Sequence, residues 1–195
     1  VPELTGTVIF EPPYNDPAAV KGMEEYSHLW LIWGFSENRD TGSDTLTVRP
    51  PRLGGKEKKG VFATRSPFRP NSLGLSCVKL EKIVVDDASG VMLEVSGIDM
   101  LDGTPVYDIK PYLPYSDSIP DAAGGFGQAA SSARERVEFP EDLLAMLPEE
   151  KKEAALHILE QDPRAAYNKK PGYVYGLSFA GRLICMFFYV SILYV

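Results

Sequence analysis

Two short stretches hold most of the side chains able to do chemistry. The first is "ATRSPFRPN", residues 63–71. Pro67 and Pro70 fix their own φ and bias Ser66 and Arg69 away from helix. Such a loop has few conformations left to lose when it binds something. Arg65 offers a planar fork matched to a carboxylate or phosphate; the structural alternative is an arginine pinning loop carbonyls. Asn71 either braces the loop or reads an adenine edge, because a side-chain amide complements N6 and N7. The second stretch is "SGIDMLDGTPVYDIKPYLPYSD", residues 96–117, where Asp99, Asp102, Asp108 and Lys110 bunch around tight turns. A carboxylate there can accept from ribose hydroxyls or act as a base. Asp102-Gly103 reads as a plain turn. Asp108 and Lys110 are two apart on a strand and share a face, so an ion pair competes with catalysis as their purpose.

The elements that must position these residues are mostly strands. "TGTVIFEP" reads as a strand ended by Pro12-Pro13. "NDPAAVKGMEEY" predicts a short helix with Asp16 as N-cap and Pro17 at its first position, weakened near its end by Gly22. "HLWLIWGF" (28–35) is nearly all apolar and predicts a strand covered on both faces. "VFAT" (61–64) reads as a short strand, and "LGLSCVKLEKIVV" and "GVMLEVSGIDM" as two longer ones joined by a turn at "DDASG". "TPVYDIKPYLPYSD" predicts a strand running into a loop, and "RERVEF" one more strand. Past Pro140 the character changes. "EDLLAML" is a short helix, and Pro148 opens a second whose Glu149 and Glu150 suit its N-terminal dipole. Many short strands with few helices point to a mainly β chain, a barrel or strongly curved sheet over residues 1–139, with a small α+β domain over 140–195.

Composition narrows the class. The chain has 195 residues, 44% hydrophobic and 24% charged, enough for a real core. Cys77 and Cys185 both lie in apolar runs, so a reducing, cytoplasmic setting is expected over a disulfide scaffold. No metal site is expected, because His28 and His157 are the only histidines and neither is near a cysteine. "LICMFFYVSILYV" (183–195) is too short for a helix through about 30 Å of bilayer and predicts a buried strand or a strand pair, hence no membrane partner. The chain opens at Val1-Pro2 without a methionine, so it is expected to begin after its natural start. The net charge of −7 argues against nucleic acid until its distribution is considered. Arg49, Arg52, Lys56, Lys58, Lys59, Arg65 and Arg69 face Glu57 alone between residues 49 and 69, a local net of +6. A basic stripe on an acidic body attracts phosphate while the body limits indiscriminate binding. Dinucleotide, Walker and serine-hydrolase motifs are absent.

"SHLWLIWGFSEN", "TVRPPRLGGKEKKGVFATRSPFRPNSLGLS", "DGTPVYDIKPYLPYSDSIPDA" and "EQDPRAAY", in this order, resemble the TsaA/TrmO family of S-adenosylmethionine-dependent tRNA methyltransferases, over about residues 5–175. The resemblance implies a single-sheet β-barrel in place of the Rossmann fold and a homodimer with the cofactor near the subunit interface. It also implies methylation of N6 of threonylcarbamoyladenosine just 3′ of the anticodon. Carried over by motif, the cofactor contacts are Ser36, Glu37, Arg65, Leu75, Gly97, Ile98, Asp99 and Met100. By the same resemblance the sequence is expected to begin after the family's opening strand and loop, and its C-terminal run is more apolar than the resemblance implies. The partner would be a tRNA anticodon stem-loop. Its phosphates would lie on Arg49, Arg52, Lys56, Lys58, Lys59 and Arg69, with Asn71 and Lys110 beside them and splayed bases on Phe68 or Tyr112. N6 of the substrate belongs to a urea and is a poor nucleophile until deprotonated, so a base is expected, Asp108 or Asp99. A non-catalytic RNA-binding or small-molecule-sensing barrel is the alternative.

Overall fold

The computed structural model describes residues 2–38, 46–50, 57–127, 135–164, 170, 172–189 and 192–195. The chain divides into two compact units, one of residues 2–48 and 60–120, the other of 49–59 and 121–195. The described strands are β1 (Thr5–Ile9), β2 (His28–Gly34), β3 (Thr47–Val48), β4 (Lys59–Gly60), β5 (Leu73–Asp86), β6 (Gly90–Ser96), β7 (Val106–Pro111), β8 (Arg136–Glu138), β9 (Tyr175–Phe179), β10 (Arg182–Tyr189) and β11 (Ile192–Tyr194). The protein is mainly β, as its alternating patterns predict.

The first unit is organised by an antiparallel sheet in the order β1-β6-β5-β2-β7. Strand β5 runs for 14 residues and changes partner along its length. Its first half pairs with β2, from Leu73↔Gly34 to Lys79↔His28. Its second half pairs with β6, from Lys79↔Ser96 to Asp86↔Gly90, with an irregularity between Leu80 and Lys82. A bulge there increases the local twist, which lets one strand serve two neighbours. Alternation turns Gly74, Ser76 and Val78 inward, while Leu73, Leu75 and Cys77 stay exposed outside. The core packs Leu29, Leu31, Trp33, Val78, Val91, Leu93 and Val95 under Val20. Among the described residues the ladder ends at β1 and β7, with no pairing that closes it.

Three local expectations change. The stretch after Asp16 forms two 3₁₀ turns, Pro17–Val20 and Met23–Glu25, in place of one helix. The Asp16 cap forms, accepting from Ala18 N at 2.8 Å, but Gly22 at φ +88° breaks the helix. Val61–Ala63 is a 3₁₀ turn, not a strand, closed by Thr64 Oγ1 donating to Val61 O at 2.9 Å. β2 is covered on one face only: Leu29, Leu31 and Trp33 are buried, while Trp30 and Ile32 on the other face are half-buried.

The second unit is α+β. Its sheet runs β8-β11-β10-β9, with β8 and β11 parallel and the other pairs antiparallel. The helix Glu149–Glu160 follows Pro148, as expected, and buries Ala154, Ala155 and Leu159. Leu159 packs with Met186 and Leu193, and Ala155 with Leu147 and Ile184. The apolar C-terminal run is a strand pair whose sheet face alternates, with Ile184 and Met186 buried and Leu183 and Phe187 exposed. No helix among the described residues is long and apolar enough to cross a membrane.

Candidate functional site

One open cleft in the first unit has a volume of about 120 Å³ and is lined by Trp33, Phe35, Ser36, Glu37, Asp99, Met100, Leu101 and Thr104. Two segments build it, the exit of β2 and the loop between β6 and β7. Gly97, at φ +83°, turns the chain out of β6. The turn is tied down by Gly97 N donating to Leu4 O at 2.8 Å. Ile98 then packs so closely over Gly6 that a Cβ there would lie 2.6 Å from its Cδ1. That anchor leaves Asp99 and Met100 on the cleft wall. On the opposite side, Gly34 N donates to Pro105 O at 3.0 Å, holding the exit of β2 beside the start of β7.

The wall is aromatic at its base and acidic at its rim. Trp33 and Phe35 meet edge to face, ring centroids 4.5 Å apart. Trp33 is nearly buried, and its Nε1 donates to Ser76 Oγ at 3.0 Å. The Ser76 hydroxyl in turn donates to Asp99 Oδ1. Two carboxylates, Glu37 and Asp99, and the Ser36 hydroxyl suit the hydroxyl and ammonium donors of a polar ligand. Phe35, Met100 and Leu101 suit a flat apolar or aromatic part.

The motif-derived residues separate into groups. Ser36, Glu37, Asp99 and Met100 line the cleft together, and Gly97 and Ile98 support it. Leu75 and Arg65 do not line it: Leu75 is on the outward face of β5, and the Arg65 side chain is exposed, with no ion pair or hydrogen bond among the described residues. The loop carrying Arg65 is internally braced. Ser66 N donates to Thr64 Oγ1 at 3.3 Å, Phe68 N to Ser66 Oγ at 3.2 Å, and Arg69 Nη1 to Thr64 O at 3.0 Å. Phe35 N donates to Ser72 O at 2.9 Å, tying the end of that loop to the cleft wall. Asp108 and Lys110 form the ion pair considered for them, at 3.2 Å, with both side chains exposed.

Of the residues proposed to touch RNA, Arg52 and Lys56 lie outside the described residues. Arg49, Lys58 and Lys59 belong to the second unit, and Arg69, Asn71, Lys110 and Tyr112 to the first. Lys59 pairs with Glu57. Tyr112 packs on Trp30, centroids 5.7 Å apart. Beneath it Asp117 accepts from Leu113 N at 2.9 Å and Trp30 Nε1 at 3.0 Å, and these bonds hold its carboxyl below the usual range. The nearby Cys77 thiol is pushed up by partial burial and by Asp117.

Trp33, Phe35, Leu101, Thr104 and Ser76 were not singled out from the sequence. The first four lie inside the quoted stretches 27–38 and 96–117, among the residues that were singled out. The signal for Ser76 was its place on the inward face of an apolar strand, where a lone hydroxyl must find a partner.

Residues 1–118 match the sequence model of the family described as "tRNA-methyltransferase O N-terminal domain". The chain is 44% identical over 175 residues to a tRNA (adenine(37)-N6)-methyltransferase of Escherichia coli strain K12, spanning 87% of this chain and 74% of that one. It is 48% identical over 153 residues to a protein of the same name from Eikenella corrodens, spanning 78% of this chain and 85% of that one. A crystal structure of TrmO from Pseudomonas aeruginosa superimposes with a TM-score of 0.72 at 32% identity, covering 99% of this chain and 83% of that one.

Proposed function

The chain belongs to the tRNA-methyltransferase O family, and on that premise we propose that it transfers a methyl group from S-adenosylmethionine to N6 of adenine 37 of tRNA, with the cleft between β2 and the β6–β7 loop as the cofactor site. The observation that carries the placement is the convergence of Ser36, Glu37, Asp99 and Met100, four residues nominated by motif, on one cleft wall. The donor set fits the cofactor. Glu37 and Asp99 are acceptors for ribose hydroxyls and the ammonium group, and Phe35, Met100 and Leu101 offer an apolar bed for adenine.

When bound, the cofactor supplies an electrophilic methyl group on sulfur. The protein's own part is alignment and proton handling. The cleft wall fixes the donor, and Arg65, free among the described residues, meets a carboxylate or phosphate. We assign the finer substrate, threonylcarbamoyladenosine, to the same site. Its N6 needs a proton acceptor, and of the two aspartates considered, Asp99 stands on the cleft wall while Asp108 is committed to Lys110. The role therefore goes to Asp99.

Leu75 and Arg65 fall outside the cleft of a single chain, and Leu73 and Leu75 are exposed on the outer sheet face. We assign that face to a homodimer, with the second copy bringing its Leu75 and Arg65 toward the cofactor. The long, partner-changing β5 supports closure of the sheet into a barrel. The basic residues between Arg49 and Arg69 take the phosphates of the anticodon stem, in a cytoplasmic enzyme.

The test is a methylation assay on threonylcarbamoylated tRNA with parallel cofactor titration. Asp99→Asn is expected to lower both affinity and turnover by at least tenfold. Asp108→Asn is expected to keep both. Turnover by Asp99→Asn with an unchanged pH profile would remove the proton role from Asp99.

A further inference from the structure

Ser76 is a buried hydroxyl in the middle of an apolar strand, and its two hydrogen bonds have a direction that chemistry dictates. The indole N–H of Trp33 can only donate. At 3.0 Å from Ser76 Oγ it takes up the serine as an acceptor. The hydroxyl's own hydrogen is then left to donate, and it meets Asp99 Oδ1. A carboxylate oxygen accepts, so the relay runs one way, from Trp33 through Ser76 to Asp99.

The starting point of the relay is fixed by packing. Trp33 sits opposite Gly74 in the β2–β5 register. A Cβ at Gly74 would fall 2.3 Å from the indole Cε2, so the ring lies directly over that glycine. Phe35 abuts the ring edge to face. Asp99, by contrast, is on an exposed loop where an unassisted carboxylate would turn freely. The buried pair therefore lends its rigidity to an exposed group. One oxygen of Asp99 is held by Ser76, and Oδ2, with no protein partner among the described residues, is left to accept a hydrogen from a ligand.

We propose that Ser76 is a positioning residue for cofactor binding, presetting Asp99 Oδ2 as an acceptor for the cofactor's hydroxyl or ammonium donors. This rests on the assignment of the cleft to S-adenosylmethionine. It also gives the glycine and second serine of "NSLGLS" a shared purpose. Gly74 makes room for the indole, and Ser76 receives its N–H and passes the orientation on.

The experiment is calorimetric titration of S-adenosylmethionine into the parent chain, Ser76→Ala, Ser76→Thr, Asp99→Ala and the Ser76→Ala/Asp99→Ala double variant. Ser76→Ala is expected to weaken binding about tenfold, the scale of one oriented hydrogen bond. Ser76→Thr, which keeps the hydroxyl, is expected to regain most of the loss. In the Asp99→Ala background, Ser76→Ala should add almost nothing, because the group it positions has gone. Trp33→Phe, which keeps the ring and removes the N–H, is expected to weaken binding in the same direction, and it carries the test if Ser76→Ala does not fold. Equal affinity of the parent and Ser76→Ala would overturn the proposal. So would the same penalty for Ser76→Ala with and without Asp99, which would mark Ser76 as a packing residue alone. No binding by the parent would overturn the cleft assignment itself, and with it this inference.

Discussion

The turn after the long helix of the second unit and the loop at residues 61–72 of the first both join proline to arginine, yet they put the arginine to opposite use. In "QDPR", Arg164 is 5% exposed and grips Asp162 with two bonds, Nε to Oδ1 at 2.7 Å and Nη2 to Oδ2 at 3.0 Å. The Phe188 ring lies 3.3 Å from its guanidinium carbon and the Tyr175 ring 5.5 Å. Asp162 itself sits at φ +48°. Two nitrogens of that guanidinium and its aromatic cover are taken up by the fold. In the loop, Arg69 spends one nitrogen on Thr64 O, and Arg65, four residues earlier, is exposed with no bond among the described residues. Residue type and proline spacing do not decide whether an arginine is structure or binding group. The local supply of acceptors and apolar cover does.

The comparison is broken most forcibly at Arg164. Replacing it with alanine removes both guanidinium bonds from an Asp162 carboxylate that is 11% exposed, and losing one partner of a buried ion pair costs about 3–5 kcal/mol. The expected result is a large fall in the urea midpoint. If Arg164→Ala unfolded at the parent's midpoint, the bidentate pair would carry no stability and the contrast with Arg65 would collapse.

Arg69→Ala is the intermediate case. It removes one charge-assisted bond to a backbone carbonyl that solvent can partly replace, so about 1 kcal/mol is expected. The loss should appear in amide exchange across residues 64–72, because that bond joins the two ends of the loop. An unchanged exchange pattern would mean that the Thr64 and Ser66 hydroxyl bonds brace the loop without it.

The same contrast separates what the sequence discloses from what it conceals. The hairpin of β5 and β6 was legible because alternation and the "DDASG" turn agree, and Asp86 closes that turn by accepting from Ala88 N and Ser89 N at 2.9 and 2.8 Å. The helix Glu149–Glu160 was legible from Pro148, its acidic first turn and its apolar stripe. "VFAT" was not, since three apolar residues and a threonine suit a strand or a 3₁₀ turn, and the threonine hydroxyl decided the matter. In the cleft, Ser36, Glu37, Asp99 and Met100 were legible through the family resemblance. The relay behind them was hidden, because it depends on Trp33 lying over Gly74, 41 positions along the chain. Cross-strand register of that kind leaves no trace in any local window.

Arg65→Ala is expected to change stability least, and that smallness sharpens the comparison. An exposed arginine with no partner among the described residues contributes within about 0.5 kcal/mol to folding, so its urea midpoint should match that of the parent. The prolines around it already restrict the loop, so the side chain is presented without further ordering of the backbone. A residue held out in this way has its effect on what it meets. Titration of S-adenosylmethionine into Arg65→Ala should therefore show binding about tenfold weaker than the parent, with the midpoint unmoved. A variant that lost stability instead, and kept its affinity, would place Arg65 with Arg69 as a brace of the loop and return the anionic end of the ligand to other residues.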